Sequence, residues 1–252
     1  MAKHTLIRNV ACVAVAAAVL TACSSGHDGG PANAPSPLVP ATPNKPTQNT
    51  PNQNKPAQNN PAPAPQPAKS PVGNQGFAAN KEAVVSGDRS SSVITVDGHQ
   101  ITVEYPGFYI GRFLNMNDSK AHTITSGTNF NHVRFGAQID KVNGNTPYVF
   151  AVGSVTKDVP TSGKASYVGD AAVIKGQNVI PGNAKFDVDF GAKTIAGSAS
   201  NIALAGKING AAFEGTKDGV AMKGNFYGPA AAELSGVFKG NDVQGSFGAI
   251  KQ

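Results

Sequence analysis

The sequence predicts an all-β protein in which a disordered proline-rich stalk precedes a small N-terminal β unit and an eight-stranded antiparallel β-barrel. Three observations predict this class. Short runs of alternating apolar and polar residues, separated by glycine-containing turns, fill the chain from Phe77 onward. Helical periodicity is missing from the same region, so no helix longer than about two turns is expected. The preceding segment has many prolines and almost no large apolar residues, so it cannot form a core.

Residues 1–22 are predicted to be a lipoprotein signal peptide. Lys3 and Arg8 precede an apolar run from Val10 to Leu20. That run is too short for a permanent membrane span, which needs about 20 residues. A basic start followed by a short apolar run is typical of a secretory signal. The sequence at its end, Leu-Thr-Ala-Cys, resembles the bacterial lipobox, which implies lipidation of Cys23 and, with serine next, sorting to a Gram-negative outer membrane.

The cysteines and the charge exclude several classes of protein. The only cysteines are Cys12, in the signal, and Cys23, so the mature chain has no thiol left for disulfides or thiolate metal sites. The net charge is +6, but from Phe77 onward 16 basic residues face 14 acidic ones. The folded part is therefore nearly neutral. A nucleic-acid-binding domain is expected to carry a basic face of its own, so this function is not predicted.

Residues 23–76 are predicted to be a disordered linker that follows the lipidated cysteine. The stretch from Gly26 to Gly76 holds 13 of the 18 prolines, and the pattern at Asn44–Asn49 recurs at Asn54–Asn59. Proline-rich chains extend by up to ~3.1 Å per residue, so about 50 residues reach on the order of 100 Å. The linker is interpreted as a stalk. The alternative, a ligand for proline-recognition domains, suits an exported bacterial segment less well.

Residues 77–128 are predicted to form the small β unit. Asp97-Gly98 between two β-branched runs is a strong hairpin signal. The densest aromatic stretch follows at Tyr105–Met116, and two interpretations remain open for it. Its side chains form the core of the unit, or they form a partly exposed patch that binds a protein partner, because Tyr, Phe, Met and Arg are enriched at interfaces. The candidate contact residues are Tyr105, Phe108, Tyr109, Arg112, Phe113 and Met116.

Residues 129–252 are predicted to form the barrel. We count eight or nine strands between Asn129 and Ile250, joined by short connections. Meandering antiparallel strands on this scale form a sandwich or close into a barrel, and closure removes the strand edges. Many strand glycines suit the bends of a small barrel.

No catalytic constellation is present in the sequence, so an enzyme is not expected. The nucleophile-elbow and zinc-protease motifs are missing. Asp187 and Asp189 share one face of a strand and so imitate a carboxylate pair. The alternation of Phe186, Val188 and Phe190 with them favours a structural strand with both carboxylates facing outward.

Three histidines, His99, His122 and His132, lie in the predicted folded part. Histidine is a common haem and metal ligand. His122 and His132 are the candidate haem ligands, and a haem site built from two histidines stays open beside the alternative of solvated or hydrogen-bonded side chains. No separate metal site is predicted.

The barrel segment resembles the C-terminal β-barrel domain of transferrin-binding protein B. It also resembles related Gram-negative surface lipoproteins that bind haemoglobin or haem and, more distantly, factor H-binding protein. The resemblance covers about half the chain, and the stretches that carry it are Arg134–Gly136, Pro160–Asp170, Asp187–Gly191, Ile208–Gly210, Phe226–Pro229, Glu233–Phe238 and Phe247–Gln252. Transferrin-binding protein B has two lobes, each a barrel with a handle domain, whereas this chain has room for one barrel and one handle-like unit.

The resemblance implies an outer-membrane surface lipoprotein that binds a host protein, such as transferrin or haemoglobin, for iron or haem acquisition. The alternatives are a lipoprotein that binds haem directly and an immune-evasion protein that binds complement factor H. The resemblance also implies a second partner, an outer-membrane modulator that exports such lipoproteins to the cell surface.

Overall fold

The structure is a computed structural model that describes residues 69–107, 111–240 and 242–252. All of them belong to the C-terminal of two units into which the chain divides, Pro61–Gln252. The predicted signal peptide, Cys23, the linker up to residue 68, Phe108 and Tyr109 lie outside the described residues. Within the described residues, no helix has the length and apolar character needed to cross a membrane.

Nine strands form two sheets in the N-terminal part of the described chain. They are β1 (Gln75–Ala78), β2 (Lys81–Glu82), β3 (Val85–Ser86), β4 (Val93–Val96), β5 (His99–Thr102), β6 (Phe113–Asn117), β7 (Ala121–Ser126), β8 (Val133–Asp140) and β9 (Thr146–Gly153). One sheet has six strands in the order β2-β1-β9-β8-β7-β6, and the other has three in the order β3-β4-β5. The predicted hairpin at Asp97-Gly98 joins β4 to β5, with both turn residues at positive φ.

The eight strands that follow close into an antiparallel barrel. They are β10 (Lys164–Lys175), β11 (Asn178–Asp189), β12 (Thr194–Ala199), β13 (Ile202–Asn209), β14 (Ala212–Lys217), β15 (Val220–Tyr227), β16 (Glu233–Lys239) and β17 (Val243–Lys251). Each strand pairs with the next in the chain, and β17 pairs with β10 to complete the ring. A 3₁₀ turn, Pro229–Ala231, connects β15 to β16. The predicted eight-stranded antiparallel barrel and the all-β class are confirmed.

The domain boundary predicted between residues 128 and 129 differs from the structure. Strands β8 and β9 belong to the six-stranded sheet, and the closed barrel begins only at Lys164. The linker boundary at residue 76 also moves, because Gln75 and Gly76 pair with β9. The boundary at residues 128 and 129 was misplaced because β8 alternates apolar and polar residues as a barrel strand does. In the structure both faces of β8 are covered, and all eight of its residues are buried.

The described domain is built in three layers. The three-stranded sheet covers one face of the six-stranded sheet through a cluster that includes Val85, Ile94, Ile101 and Phe150. The other face packs on the outside of the barrel through a second cluster, with Ile124, Phe135 and Ile139 from the sheet facing Ile174 and Val237 from the barrel. The six-stranded sheet is therefore the middle layer, and together with the three-stranded sheet it forms the handle-like unit.

A close fit joins the six-stranded sheet to the barrel. The Phe135 ring lies against Gly248 of β17, where a β-carbon would overlap with the ring. The Ser246 hydroxyl donates a hydrogen bond to the Gly136 carbonyl oxygen at 2.9 Å. Glu233 of β16 is 2 % exposed, and its carboxylate accepts hydrogen bonds from the backbone N–H groups of Asn131, His132 and Val133 at 2.7, 3.0 and 3.1 Å.

Candidate partner-binding surface

The inside of the barrel is occupied by the protein's own side chains. Five fully buried phenylalanines, at positions 186, 213, 226, 238 and 247, contact one another there, with ring centroids 4.7–6.3 Å apart. Tyr167 joins them and donates its hydroxyl to the Ala231 carbonyl oxygen at 2.7 Å. Burial raises the pKa of Tyr167, so the side chain stays neutral. The interior of an eight-stranded barrel is just wide enough for side chains to fill it, and here these aromatic side chains occupy it.

The C-terminal part of the aromatic stretch Tyr105–Met116 lies on β6, at one edge of the six-stranded sheet. Tyr105 is half-buried, and burial, with a smaller contribution from Asp118, raises its pKa. Phe113 and Met116 are half-buried on β6, and Phe113 packs against the cluster that joins the sheet to the barrel. Among the described residues of this stretch, the Leu114 side chain is buried and that of Arg112 is exposed, so both interpretations of the stretch stay open.

Arg112 makes a long-range contact with the barrel. Its Nε donates to the Asp170 Oδ1 at 2.5 Å, and its Nη2 donates to the Asn183 side chain. The Asp170 side chain is 5 % exposed, whereas that of Arg112 is 60 % exposed. The guanidinium also lies 5.8 Å from the centroid of the Phe113 ring. Arg112 thus links β6 to β10 and β11, and sequence reasoning missed this because its partners lie 58 and 71 residues away.

Strand β6 is an edge strand. Among the described residues it pairs only with β7, so the backbone groups along its outer side have no strand partner. Asn115 and Asn117 are exposed there, and Lys141 donates to the Asn117 Oδ1 at 2.7 Å. An exposed edge strand is a common place for an extended partner segment to bind, because main-chain hydrogen bonds supply affinity. Together, Tyr105, β6 and the neighbouring side chain of His122 form the candidate surface, which we call the β6 edge.

His122 lies on β7, and its side chain contacts Asn115 of β6. Its Nε2 is 3.0 Å from the Asn115 Oδ1. Burial lowers the pKa of His122, and the charge of Lys141 lowers it further, so the imidazole is neutral at pH 7.

His132 lies at the other end of β8. It precedes Val133, and its imidazole lies against Gly228, whereas His122 pairs with Ile139. Seven residues of strand separate the two positions, which is about 23 Å at ~3.3 Å per residue. Two ligands of one iron must lie within about 4 Å of each other, given metal–nitrogen bonds of about 2 Å. The structure therefore does not bring the two candidate haem ligands together.

His99, the third histidine, is part of a packed hydrogen-bonded cluster. Its ring stacks on Tyr148 at 4.1 Å, and its Nε2 lies 2.6 Å from the Gln138 Oε1. Its Nδ1 lies 3.6 Å from the Asp140 Oδ2. These contacts hold the β4–β5 hairpin on β8. In the described part of the chain, no group of three or more His, Cys, Asp or Glu side chains is placed to hold a metal ion.

The two aspartates of β11 face outward, as predicted. Phe186, Val188 and Phe190 are buried, whereas Asp187 is exposed. Asp189 accepts a hydrogen bond from the Ala192 N–H at 2.8 Å and lies 3.4 Å from the Lys164 ammonium group. The Ala192 N–H is the main reason why the pKa of Asp189 is lowered, with help from Lys164 and against a smaller opposing effect of burial. Its role is to stabilise the turn after β11.

The described residues form one lobe, with one filled eight-stranded barrel and one handle-like β unit. Residues 159–251 match the family model of the C-lobe and N-lobe beta barrels of Tf-binding protein B. The chain is therefore transferrin-binding protein B-like in its barrel.

Solved structures share this fold. Transferrin-binding protein B from Haemophilus parasuis, solved as a point mutant, is 24 % identical with a TM-score of 0.54, and the match covers 71 % of this chain and 45 % of that one. Transferrin-binding protein B from Neisseria meningitidis is 21 % identical with a TM-score of 0.53, and the match covers 71 % of this chain and 43 % of that one. The chain thus spans less than half the length of these two relatives. At such identities the likeness establishes a common fold.

Two further relatives are closer to this chain in length. HpuA from Kingella denitrificans, solved in complex with human haemoglobin, is 14 % identical with a TM-score of 0.50, and the match covers 71 % of this chain and 87 % of that one. A Haemophilus influenzae protein described only as uncharacterized is 26 % identical over 209 residues, which cover 71 % of this chain and 72 % of that protein.

Proposed function

We propose that this chain is a binding protein for a host iron or haem carrier, with transferrin and haemoglobin as the first candidates. One observation carries the proposal: the described domain is a single handle-and-barrel lobe, the scaffold that transferrin-binding protein B and HpuA use. A fold alone does not define a function, so the argument also depends on the surface of this chain.

The geometry favours a macromolecular ligand over one held inside the fold. The barrel interior is filled with aromatic side chains, so the ligand must bind outside it. The β6 edge offers open backbone groups together with Tyr105 and Met116, half-buried side chains of types that are enriched at interfaces. The proposed contact residues in the described part of the chain are Tyr105, Arg112, Phe113 and Met116. The proposal also includes Phe108 and Tyr109, which lie outside the described residues.

The proposed cellular setting follows from the N-terminal sequence. Lipidation of Cys23 anchors the chain to a Gram-negative outer membrane, because each acyl CH₂ buried in the bilayer contributes ~0.8 kcal/mol to the free energy of membrane binding. The linker then separates the domain from the membrane by up to about 100 Å. With the domain outside the cell, an export modulator in the outer membrane is the second proposed partner.

A capture experiment tests the proposal. The full chain is immobilised and exposed to host serum and to haemolysate, and the bound proteins are identified by mass spectrometry. We expect enrichment of transferrin or haemoglobin over a bare surface. Enrichment of factor H alone would favour a function in immune evasion over one in iron acquisition. A Soret band on adding haem, without any captured protein, would favour direct haem binding.

Matched variants locate the contact. Tyr105→Ala and Met116→Ala are expected to reduce capture at least ten-fold, whereas Ile180→Ala, which truncates an exposed apolar residue on the barrel, leaves it unchanged. Circular dichroism confirms that each variant is folded. Equal capture by all three variants would place the contact elsewhere on the surface.

A further inference from the structure

The lysines of the predicted linker lie next to prolines. Residues 24–76 contain three lysines, Lys45, Lys55 and Lys69, and no arginine. Proline directly follows the first two of these lysines, and serine follows the third. None of the 16 lysines and arginines from Phe77 onward precedes a proline, so this pairing is a property of the linker. To a protease that cleaves after basic residues, the linker offers two Lys-Pro bonds and one Lys-Ser bond.

Trypsin-like serine proteases hydrolyse the bond after lysine or arginine, and a proline in the next position prevents this. In these enzymes a pocket holds the basic side chain, a serine attacks the carbonyl carbon, and a histidine gives its proton to the leaving amine. A proline supplies a leaving nitrogen that carries a ring in place of its hydrogen, and it restricts the backbone of the residue before it. Lys45 and Lys55 are therefore protected by sequence, and Lys69–Ser70 is the one bond of the linker that such a protease can cleave.

The structure shows how the domain holds the residues after this bond. Lys69 is exposed, whereas Ser70 is half-buried, and its Oγ accepts a hydrogen bond from the Val85 N–H at 2.9 Å. Asn74 is 8 % exposed, and its Nδ2 donates to the Gly87 carbonyl oxygen at 2.8 Å. Both contacts attach the segment Ser70–Asn74 to the chain around β3.

A further contact attaches the same segment to the barrel. The Tyr227 hydroxyl donates to the Gly73 carbonyl oxygen at 2.6 Å, and a β-carbon at Gly73 would overlap with the Val155 side chain. A protease binds its substrate as an extended segment of several residues on both sides of the cleaved bond. The segment Ser70–Asn74 must therefore leave the domain first, and the rate of cleavage depends on how often this local opening occurs.

We propose that Lys69–Ser70 is the single site at which a trypsin-like serine protease releases the domain from its linker, and that the contacts of Ser70–Asn74 gate this cleavage. Water is the second substrate: its oxygen bonds to the Lys69 carbonyl carbon, the C–N bond breaks, and the Ser70 nitrogen leaves as an amine. The released product, Ser70–Gln252, keeps every described strand. The proposal does not depend on which carrier the domain binds.

Timed digestion of the purified full chain with trypsin tests the position of the site, and mass spectrometry identifies the products. We expect a product that begins at Ser70 and no product that begins at Pro46 or Pro56. Cleavage after Lys45 or Lys55 that is as fast as cleavage after Lys69 overturns the proposal.

Proline substitutions test why the rest of the linker resists. Pro56→Ala converts a Lys-Pro bond into a Lys-Ala bond, and cleavage after Lys55 is expected to become at least a hundred-fold faster. Pro51→Ala is the matched control, because Thr50 precedes this proline, and it is expected to leave the products unchanged. Equal digestion of the two variants would show that proline does not protect these lysines.

A serine substitution tests the gate. Ser70→Ala removes the hydroxyl that holds the segment on Val85 and is expected to speed cleavage after Lys69 at least three-fold, because the open form becomes more populated. The control Ser92→Ala changes an exposed serine just before β4 and is expected to leave the rate unchanged. Circular dichroism confirms that both variants are folded. An equal rate for Ser70→Ala and the wild type overturns the gate, and a lack of cleavage after Lys69 in either overturns the site.

Discussion

At the scale of single residues, buried polar side chains fix the junction between the sheet and the barrel. Glu233 is the clearest case, because one carboxylate from β16 satisfies three consecutive backbone N–H groups at the start of β8. Hydrogen bonds to charged groups contribute about 1.5–3 kcal/mol each, and donors left unpaired by removing the acceptor cost a similar amount.

Glu233→Ala is therefore expected to lower the free energy of unfolding by about 2–4 kcal/mol, since three buried donors lose their acceptor. Urea denaturation followed by circular dichroism measures the change. Glu214→Ala serves as the control, because Glu214 is an exposed residue of another barrel strand, β14, and surface substitutions usually change stability by less than about 0.5 kcal/mol. Equal effects of the two substitutions would show that the Glu233 contacts do not stabilise the junction.

Asp189 gives a residue-scale prediction about pH. Its pKa is lower in the folded state than in the unfolded state, so its charged form stabilises the fold. That contribution is present above the unfolded pKa of about 4 and is lost as the pH falls through the lower folded value. Asp189→Asn should therefore be less stable than the wild type at pH 7, and the difference should shrink below about pH 4. A difference that is constant from pH 7 to pH 2.5 would exclude this role.

At the scale of the elements, β8 shows what the sequence can and cannot predict. Its alternation predicts a strand, and Val133, Phe135 and Ile139 do face the barrel. Its polar residues look solvent-facing in the sequence, yet Arg134 donates to the Val103 carbonyl oxygen at 2.7 Å, and Gln138 binds Thr123 and His99 beneath the three-stranded sheet. Which sheet a strand joins depends on such distant partners. The local pattern therefore predicted the strand correctly, but it could not show that β8 belongs to the six-stranded sheet rather than to the barrel.

The same limit applies to the candidate surface. The composition of Tyr105–Met116 predicted a binding surface or a core, and the described residues of the stretch include both buried and exposed side chains, such as Leu114 and Arg112. The contact of Arg112 with Asp170 depends on residues that only the folded chain brings together. The barrel strands were easier to predict, because one face of each meets the filled interior and the period-two pattern is retained, as at Phe186, Val188 and Phe190.

The packing of β8 on β17 makes an element-scale prediction. Gly248→Ala places a methyl group where the Phe135 ring lies, so the sheet must shift on the barrel. Such overpacking typically costs about 1–3 kcal/mol of unfolding free energy, which urea denaturation measures. Gly191→Ala is the matched control, because its nearest neighbours would lie 3.5 Å or more from the added carbon. A loss no larger than that of the control would mean that the contact between the layers adapts freely.

At the scale of the whole molecule, both faces of the six-stranded sheet are covered and the barrel is filled, so we expect a partner to bind on the outer surface of the described domain. The sequence predicted the barrel, and its resemblance predicted the family of the barrel, because both depend on local patterns within one continuous stretch. It could not predict the partner, since an interface combines residues from separate strands and turns. The choice between transferrin and haemoglobin therefore has to be measured.

Equilibrium binding of purified transferrin and haemoglobin to the immobilised full chain tests the central claim most directly. The account predicts saturable binding of one of the two carriers, with a dissociation constant in the micromolar range or below, and at least ten-fold weaker binding to Tyr105→Ala than to the wild type. Serum albumin provides the baseline. Binding of neither carrier above that baseline, by a chain shown to be folded, would contradict the proposed function.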